Sequence, residues 1–390
     1  MKKIFDNTEV AFALKSDTEL ERAYFLFKLI DSQPLVKLGT LVTNFAIKAN
    51  LPVESLIRAT VFDHFCGGVN EQDCLPVVEK MHTKGVGAVL DYSVEGKESE
   101  DQFEAALEMT LKTLAFAKNH EAVPFAVFKP TGFGRFHIYQ KITEKKPLTI
   151  TEEEEWNAIV HRFDRVCRQA HEWNVPLLID AEESWMQDAA DELILDMMRK
   201  YNRERAIVFN TLQLYRWDRL DYLKKIHQIA EKEGFHIGMK LVRGAYMEKE
   251  NKRAAEKGYT SPICASKAET DDMYNATVQY MIKNIHCMAI FAGTHNEQSS
   301  YLLMQLMEEK GLLKNDPRIY FGQLYGMSDH ISYNLAQNGY QVAKYLPFGP
   351  VRDVMPYLIR RAEENTSVAG QTSRELMLLK SERKRRKLKD

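Results

Sequence analysis

The sequence predicts an α/β protein in which eight strand–helix units form a (β/α)8 barrel. Short apolar runs rich in β-branched residues alternate with longer amphipathic segments, and the runs are almost continuously apolar, as in a parallel sheet buried on both faces. A doubly wound open sheet remains an alternative here, because periodicity does not distinguish an open sheet from a closed one. The eight runs are residues 86–91, 125–129, 177–180, 206–213, 237–243, 289–295, 319–324 and 342–346.

The chain divides into three predicted segments. Residues 1–84 show helical periodicity without a strong strand and form an N-terminal helical segment, whereas residues 85–370 hold the eight units of the barrel. Residues 371–390 form a basic C-terminal tail, with the block Lys-Ser-Glu-Arg-Lys-Arg-Arg-Lys-Leu-Lys-Asp from Lys380. We expect a disordered, solubilising end, with a contact to an anionic membrane surface as the alternative.

Composition narrows the class of protein. The chain has 390 residues, of which 45% are hydrophobic and 28% charged, so a large core is available. A net charge of -2 argues against nucleic acid as a partner. Five cysteines without a CxxC pair favour reduced thiols, and neither an apolar signal region nor an apolar run of membrane-spanning length is present. We expect a cytoplasmic protein, or a peripheral one on the inner membrane face of a bacterium or the matrix side of a mitochondrion.

Polar side chains gather at the carboxyl ends of the predicted strands. A buried strand carries a charge only where that charge is paired or functional, because desolvating an ion costs several kcal/mol. In a (β/α)8 barrel the carboxyl ends of all strands meet on one face, which indicates a functional site there. The residues concerned are Lys129, Asp180, Gln213, Lys240, Arg243, Gly244, Thr294, His295 and Tyr345.

A cationic cluster is predicted to bind an anionic group. The helix expected after the eighth strand carries Arg360 and Arg361, whose guanidinium groups offer planar forks of donors. On spacing alone such a pair is more often solvated surface charge. Together with Lys129 it implies an anionic substrate group, most simply a carboxylate, and Asp180 would orient the cations or take a proton.

Other reaction classes find little support in the sequence. There is no Ser-His-Asp, Cys-His or HExxH pattern, and His295 has no second histidine at ligand spacing, so we predict no metal site. The turn from Lys240 to Tyr246 places backbone amides beside cations, which suits a phosphate or the electron-rich edge of a reduced flavin. The residues alone therefore predict a barrel enzyme that acts on a small carboxylate and uses a phosphate-bearing cofactor.

A set of motifs in order along residues 85–370 resembles the proline dehydrogenases. The resemblance implies a distorted (β/α)8 barrel with bound FAD that oxidises L-proline to Δ1-pyrroline-5-carboxylate by hydride transfer to flavin N5. It further implies electron transfer to a membrane quinone, peripheral membrane contact and a downstream pyrroline-5-carboxylate dehydrogenase in proline catabolism. The motifs are Phe128-Lys-Pro-Thr-Gly, Leu178-Ile-Asp-Ala-Glu, Phe209-Asn-Thr-Leu-Gln-Leu-Tyr, Lys240-Leu-Val-Arg-Gly-Ala-Tyr, Gly293-Thr-His-Asn, Tyr345-Leu-Pro-Phe-Gly and Tyr357-Leu-Ile-Arg-Arg.

The resemblance also implies roles for individual residues. Asp180 and Lys240 would be catalytic, and Glu95 would pair with an active-site arginine as a gate. Lys240 stands where many bacterial members have arginine, so the bidentate fork is lost although the charge is kept. The substrate would contact Lys129, Arg360, Arg361, Tyr345, Tyr246 and Leu324. The flavin would contact Ala181, Gln213, Val242, Arg243, Gly244, Ala245, Thr294, His295 and Glu364.

Two alternatives to proline oxidation stay open at this point. A hydroxyproline dehydrogenase would use the same chemistry, although the bulk of Tyr345 favours the unsubstituted ring. A barrel that keeps the pocket only to bind a carboxylate would belong to a different class and would purify without colour.

Overall fold

The computed structural model describes residues 3–30, 58–93, 98–367 and 371–388. Its eight strands belong to one sheet in the order β1-β8-β7-β6-β5-β4-β3-β2, with helices between successive strands. The sequential order and the parallel pairing are those of a (β/α)8 barrel, and the predicted fold class is confirmed. The strands are β1 Val86–Tyr92, β2 Ala126–Phe128, β3 Leu177–Ile179, β4 Val208–Gln213, β5 Ile237–Val242, β6 Met288–Gly293, β7 Ile319–Leu324 and β8 Val342–Phe348.

The helices between the strands begin and end at recognisable caps. For example, the long helix before β3 begins at a capping box of Thr149 and Glu152 and ends at Asn174, which has a left-handed backbone. The described α-helices are α1 Thr8–Ala11, α2 Asp17–Ile30, α3 Asp63–Phe65, α4 Glu71–His82, α5 Glu100–Asn119, α6 Phe136–Thr143, α7 Ile150–Trp173, α8 Ser184–Tyr201, α9 Arg219–Glu233, α10 Met247–Lys257, α11 Lys267–Lys283, α12 Glu297–Glu309, α13 Asp329–Gln337, α14 Val351–Ser367 and α15 Gln371–Arg385. Among the described residues, every helix is too short or too polar to serve as a transmembrane span.

The chain forms two compact units, one of residues 96–322 and one of residues 1–95 with 323–390. We call the first the strand unit and the second the terminal unit. In the strand unit, the ring of Phe125 meets three aromatic rings edge-on, with centroid distances of 5.7 Å to Phe209, 5.2 Å to Phe291 and 4.8 Å to Tyr320. These ring contacts pack the segments around β2, β4, β6 and β7 against one another.

The basic C-terminal segment is a helix in the terminal unit, so the interpretation of a disordered end is wrong. Leu378 and Leu379 of α15 are buried in one apolar cluster with Leu20 and Phe27 of α2. Arg383 donates to Glu21 across the same contact at 2.6 Å. The many basic residues of this segment masked the pattern of an amphipathic helix. Arg383 of this helix pairs with a carboxylate on the neighbouring helix α2.

A buried ion cluster lies at the start of α13 in the terminal unit. Asp329 contacts Lys344 at 2.8 Å and Lys15 at 3.2 Å, and Lys344 is fully buried. Burial alone would raise the pKa of Asp329, but the positive charges of Lys344 and Lys15 hold it well below its usual range. The Lys344 ammonium also donates to the carbonyl of Met327 at 2.7 Å, so the buried charge has a second acceptor.

We predict that Asp329→Asn lowers the free energy of unfolding at pH 7 by about 3 kcal/mol, because it leaves a buried ammonium without its counter-charge. A depressed carboxyl pKa stabilises the fold above the unfolded pKa of about 4, and this contribution disappears as the pH falls further. Denaturant titrations between pH 2 and pH 7 should show this loss in the wild type and not in the variant. The exposed Asp63→Asn is the control; an equal effect of both substitutions would contradict the prediction.

Candidate active site

Asp180 and Lys240, the two residues predicted to be catalytic, form an ion pair. Lys240 lies within β5 and is 6% exposed, and its Nζ lies 2.5 Å from Oδ1 of Asp180, which directly follows β3. The backbone holds Asp180 in place because its N–H donates to the carbonyl of Phe128 at 3.0 Å. Thr211 of the intervening strand β4 donates to the carbonyl of Ile179 at 2.7 Å. The pair therefore presents a fixed, largely desolvated cation near the carboxyl ends of β3 and β5.

Lys129 follows β2 rather than ending it, one residue beyond the observed strand. It precedes a single 3₁₀ turn, Pro130–Gly132, and is half-buried. The fully buried Tyr139 donates its hydroxyl to the carbonyl of Pro130 at 2.7 Å. This hydrogen bond fixes the main chain next to Lys129, so the lysine lies beside a constrained turn.

Arg243 and Thr294, both predicted to contact the flavin, lie in direct contact. The Arg243 guanidinium donates to Thr294 Oγ1 at 2.8 Å, to Ser299 Oγ at 3.0 Å and to Asp271 Oδ1 at 2.8 Å. Its central carbon lies 4.5 Å from the centre of the Tyr274 ring. Three acceptors and an aromatic face hold this cation in one orientation.

Asp271 was not predicted from the sequence, and no motif marks it. It lies on α11, where Lys267 one turn earlier also donates to it at 2.6 Å. Partial burial opposes ionisation, but the hydrogen bonds from Lys267 and Arg243 keep the pKa of Asp271 below its usual range. The carboxylate therefore remains charged at neutral pH and anchors Arg243.

The loop after β5 depends on a glycine. Gly244 has a φ of +131°, and a Cβ on it would lie 2.5 to 2.6 Å from ring atoms of Tyr215. Only glycine combines this backbone with so close an approach. The same loop contains the exposed Ala245 and the half-buried Tyr246, whose positions depend on this conformation, and it begins after the half-buried Val242 at the end of β5.

The remaining residues of the strand unit that are predicted to contact the flavin lie at the end of a strand or shortly after it. Gln213 is the last residue of β4 and is 3% exposed, and its register partner is Val242 of β5. Ala181 follows Asp180, and His295 follows Thr294; both are half-buried.

The terminal unit contains the other predicted substrate contacts. Tyr345 is buried within β8 and pairs in register with Val89, and its carbonyl accepts the N–H of Tyr325 at 2.8 Å. Leu324 ends β7 and Arg360 lies on α14; both are half-buried. Glu95 lies outside the described residues, as do the side chains of Arg361 and Glu364. The roles of these last three residues stay predictions.

The strand unit carries groups that suit a large anionic cofactor with an aromatic ring system. Arg243 supplies a fixed cation, Thr294 a hydroxyl and Gln213 a buried amide, while Gly244 leaves the backbone bare of a side chain. These donor types fit a flavin dinucleotide. No cluster of three or more His, Cys, Asp or Glu side chains within the described part of the chain could hold a metal ion.

Comparisons with known proteins give one matching family model and several similar proteins. Residues 74–374 match the family model described as proline dehydrogenase. The chain is 38% identical over 332 residues to the carbapenem antibiotics biosynthesis protein CarD of Pectobacterium carotovorum subsp. carotovorum, covering 85% of each chain. It is 32% identical over 400 residues to the mitochondrial proline dehydrogenase 2 of Arabidopsis thaliana, covering 90% of this chain and 84% of the relative.

A solved structure shares the fold. It is proline utilization A from Bdellovibrio bacteriovorus, inactivated by N-propargylglycine, with a TM-score of 0.72 at 22% sequence identity. The match covers 94% of this chain and 39% of the other, so the chain spans about two fifths of that protein's length.

Proposed function

Because the chain belongs to the proline dehydrogenase family, we propose that it catalyses the FAD-dependent oxidation of L-proline to Δ1-pyrroline-5-carboxylate. The observation that carries the proposal is the arrangement of two fixed cations toward the carboxyl end of one strand, β5, with Lys240 inside the strand and Arg243 directly after it. Lys240 is held by Asp180, and Arg243 is held by Asp271 and Thr294. Cations in such positions stabilise negative charge that develops on a reduced ring system.

In this proposal, the strand unit holds the cofactor through Arg243, Thr294, Gln213 and the bare backbone at Gly244. Val242, Ala245, His295 and Ala181 are further contacts on the same loops, and Glu364 is one on α14. FAD, when bound, supplies the two-electron acceptor that the protein side chains lack. The protein contributes fixed charge, orientation and exclusion of water.

The substrate carboxylate is assigned to Lys129 and, through the motif they belong to, to Arg360 and Arg361. Held by its carboxylate, proline keeps one ring C–H beside the nitrogen in a reactive direction, which is catalysis by orientation. Tyr246, Tyr345 and Leu324 are assigned to the apolar ring. Oxidation beside the nitrogen needs the unprotonated amine, so we expect the rate to rise with pH toward the pKa of that amine.

The electron acceptor and the place in metabolism extend the proposal. A membrane quinone would reoxidise the cofactor, the contact with the membrane would be peripheral, and a pyrroline-5-carboxylate dehydrogenase would consume the product. Each of these steps follows from the family resemblance, and Glu95 would gate the site in the same scheme.

The function is tested by the colour of the purified protein. We expect a yellow preparation whose flavin absorbance near 450 nm bleaches when L-proline is added without oxygen, and returns when a soluble quinone follows. A colourless protein that takes up no FAD, or a yellow one that L-proline does not bleach, would overturn the proposal.

Similarity to a protein named for carbapenem biosynthesis supports a second candidate. In that case, the enzyme would act in antibiotic biosynthesis rather than in proline breakdown. Deletion of the gene distinguishes the candidates: loss of growth on L-proline supports catabolism, whereas loss of a carbapenem antibiotic with unchanged growth on L-proline supports the second candidate. Turnover of L-proline and trans-4-hydroxyproline, measured side by side, separately tests the hydroxyproline alternative.

We predict that Lys129→Met raises the KM for proline about 10- to 100-fold, since a hydrogen bond to a charged group contributes about 1.5 to 3 kcal/mol. The flavin content should stay at the wild-type level and kcat should fall less than kcat/KM. Arg361→Ala should act in the same direction. The control is Lys224→Met on the exposed face of α9; an unchanged KM in Lys129→Met would refute the assignment.

A further inference from the structure

Two buried carboxylates in the strand unit bind neighbouring loops in the same way. Glu182 is 7% exposed and accepts both the N–H of Thr131, at 3.0 Å, and its hydroxyl, at 2.7 Å. Glu250 is fully buried and accepts the N–H and the hydroxyl of Ser184, both at 2.6 Å. Each carboxylate thus holds the main chain and the side chain of one residue on another element: Thr131 in the turn after β2, and Ser184 at the start of α8.

These contacts join the loops that carry the proposed active-site residues. Thr131 lies two residues after Lys129, and Glu182 lies two residues after Asp180. The Glu182 carboxylate therefore connects the loop after β2 directly to the loop after β3. Glu250 extends the connection to the helix that follows the β5 loop.

The Glu182 loop is itself anchored in a buried polar network. The N–H of Glu182 donates to Gln187 Oε1 at 2.8 Å, and Gln187 donates to Asp191 at 2.9 Å. Asp191 pairs with Arg219 at 2.5 Å, and both side chains are almost fully buried. Each polar group in this network has a hydrogen-bond or ion-pair partner, so the loop after β3 has a rigid base. From this base it can hold the loop after β2.

Placing a carboxylate here costs free energy. Burial raises the pKa of Glu182 to about 7, although the hydrogen bonds from Thr131 and the charge of Lys129 oppose the shift. Burial also raises the pKa of Glu250. If stability alone mattered, an uncharged side chain would be favoured at each of these two positions. The presence of a carboxylate therefore points to a role in holding a precise geometry.

We propose that Glu182 is a positioning residue that fixes Lys129 relative to Asp180 for binding of the substrate carboxylate. The inference rests on the proposed function, since Lys129 is assigned there to the carboxylate. Glu182 acts through the Thr131 turn by two hydrogen bonds and does not touch the substrate. It is therefore distinct from the residues that the sequence motifs assign to substrate or flavin.

The test uses the FAD-loaded protein and cyclopentanecarboxylate, which has the carboxylate and ring size of proline but no nitrogen to oxidise. We expect Glu182→Ala to raise the Kd at least 10-fold and Thr131→Val about 5-fold, with faster hydrogen exchange at the amides of residues 131 and 132. Glu182→Gln should stay within about 3-fold, because its amide can accept the N–H and donate to the hydroxyl. For proline, KM should change more than kcat.

Glu152 provides a matched control. It is 8% exposed and accepts Lys141 at 2.7 Å and the N–H of Thr149 at 2.7 Å, in a cap at the start of α7. Glu152→Ala should lower stability without changing the Kd. An equal rise of Kd in Glu152→Ala, or no rise in Thr131→Val and Glu182→Ala, would overturn the proposal.

Three further outcomes bear on the proposal. If Glu182→Gln is impaired as strongly as Glu182→Ala, the charge rather than the hydrogen-bonded geometry matters and the positioning role is wrong. If Glu182→Ala does not fold, Thr131→Val and Glu182→Gln give the answer. If the wild type neither binds cyclopentanecarboxylate nor oxidises proline, the proposed function fails; unchanged amide exchange at residues 131 and 132 in Glu182→Ala would then separately refute the fixed turn.

Discussion

Lys240→Met is expected to lower kcat/KM for proline by about 10²- to 10³-fold, the usual cost of removing one preorganised electrostatic group from an active site. Lys240 lies inside a strand and its ammonium contacts Asp180 at 2.5 Å, so its charge is held in one position. Steady-state kinetics on the purified variant, together with its flavin content, measure the effect.

The same substitution is expected to destabilise the fold. It removes the Lys240 ammonium from beside the carboxylate of Asp180, whose side chain is 15% exposed, and breaking a buried pair in this way costs about 3 kcal/mol. The double variant Lys240→Met with Asp180→Asn removes both charges and should recover most of that stability. Its activity should remain as low as that of the single variant.

This separation of stability from activity decides whether the pair has a catalytic role. If the double variant regains both stability and turnover, the ion pair is structural and the catalytic assignment of Lys240 is wrong. Lys232→Met, an exposed lysine on α9, is the matched control and should change the free energy of unfolding by less than about 0.5 kcal/mol.

The strands could be located from the sequence because both faces of a parallel sheet are buried, which leaves long apolar runs. Their ends could not be placed to the residue. The predicted runs included Lys129 and Asp180, whereas the strands end at Phe128 and Ile179. Asp180 still donates its N–H to the carbonyl of Phe128. Strand ends are set by the pairing of backbone groups, which hydropathy does not report.

The charged groups around the site illustrate a second limit. Strand-end residues such as Lys240 stand out because a charge interrupts an apolar run. Asp271 and Glu250 lie on helices rich in charged residues, and their contacts with Arg243 and Ser184 span 28 and 66 positions of the chain. Glu182 lies inside a recognised motif, yet nothing in the motif shows that it reaches Thr131. Such contacts exist only once the fold brings the loops together.

Gly244→Ala is expected to reduce the bound flavin to less than about a tenth of the wild-type amount. The φ of +131° at this residue is strained for any side chain, at a cost of about 1 to 3 kcal/mol. A methyl group would in addition lie 2.5 Å from the ring of Tyr215, well inside van der Waals contact. The loop must therefore move, and with it Arg243 and Tyr246.

The ratio of absorbance at 450 nm to that at 280 nm, after dialysis against FAD and removal of the excess, measures this loss. Gly258→Ala separates the two causes, because Gly258 has a φ of +73° but open space where its Cβ would lie. We expect that variant to lose some stability and to keep its flavin. If Gly244→Ala binds flavin as well as Gly258→Ala does, the close approach to Tyr215 does not shape the cofactor loop. Recovery of flavin in Gly244→Ala with Tyr215→Leu would show that the lost space, rather than the strained backbone, displaces it.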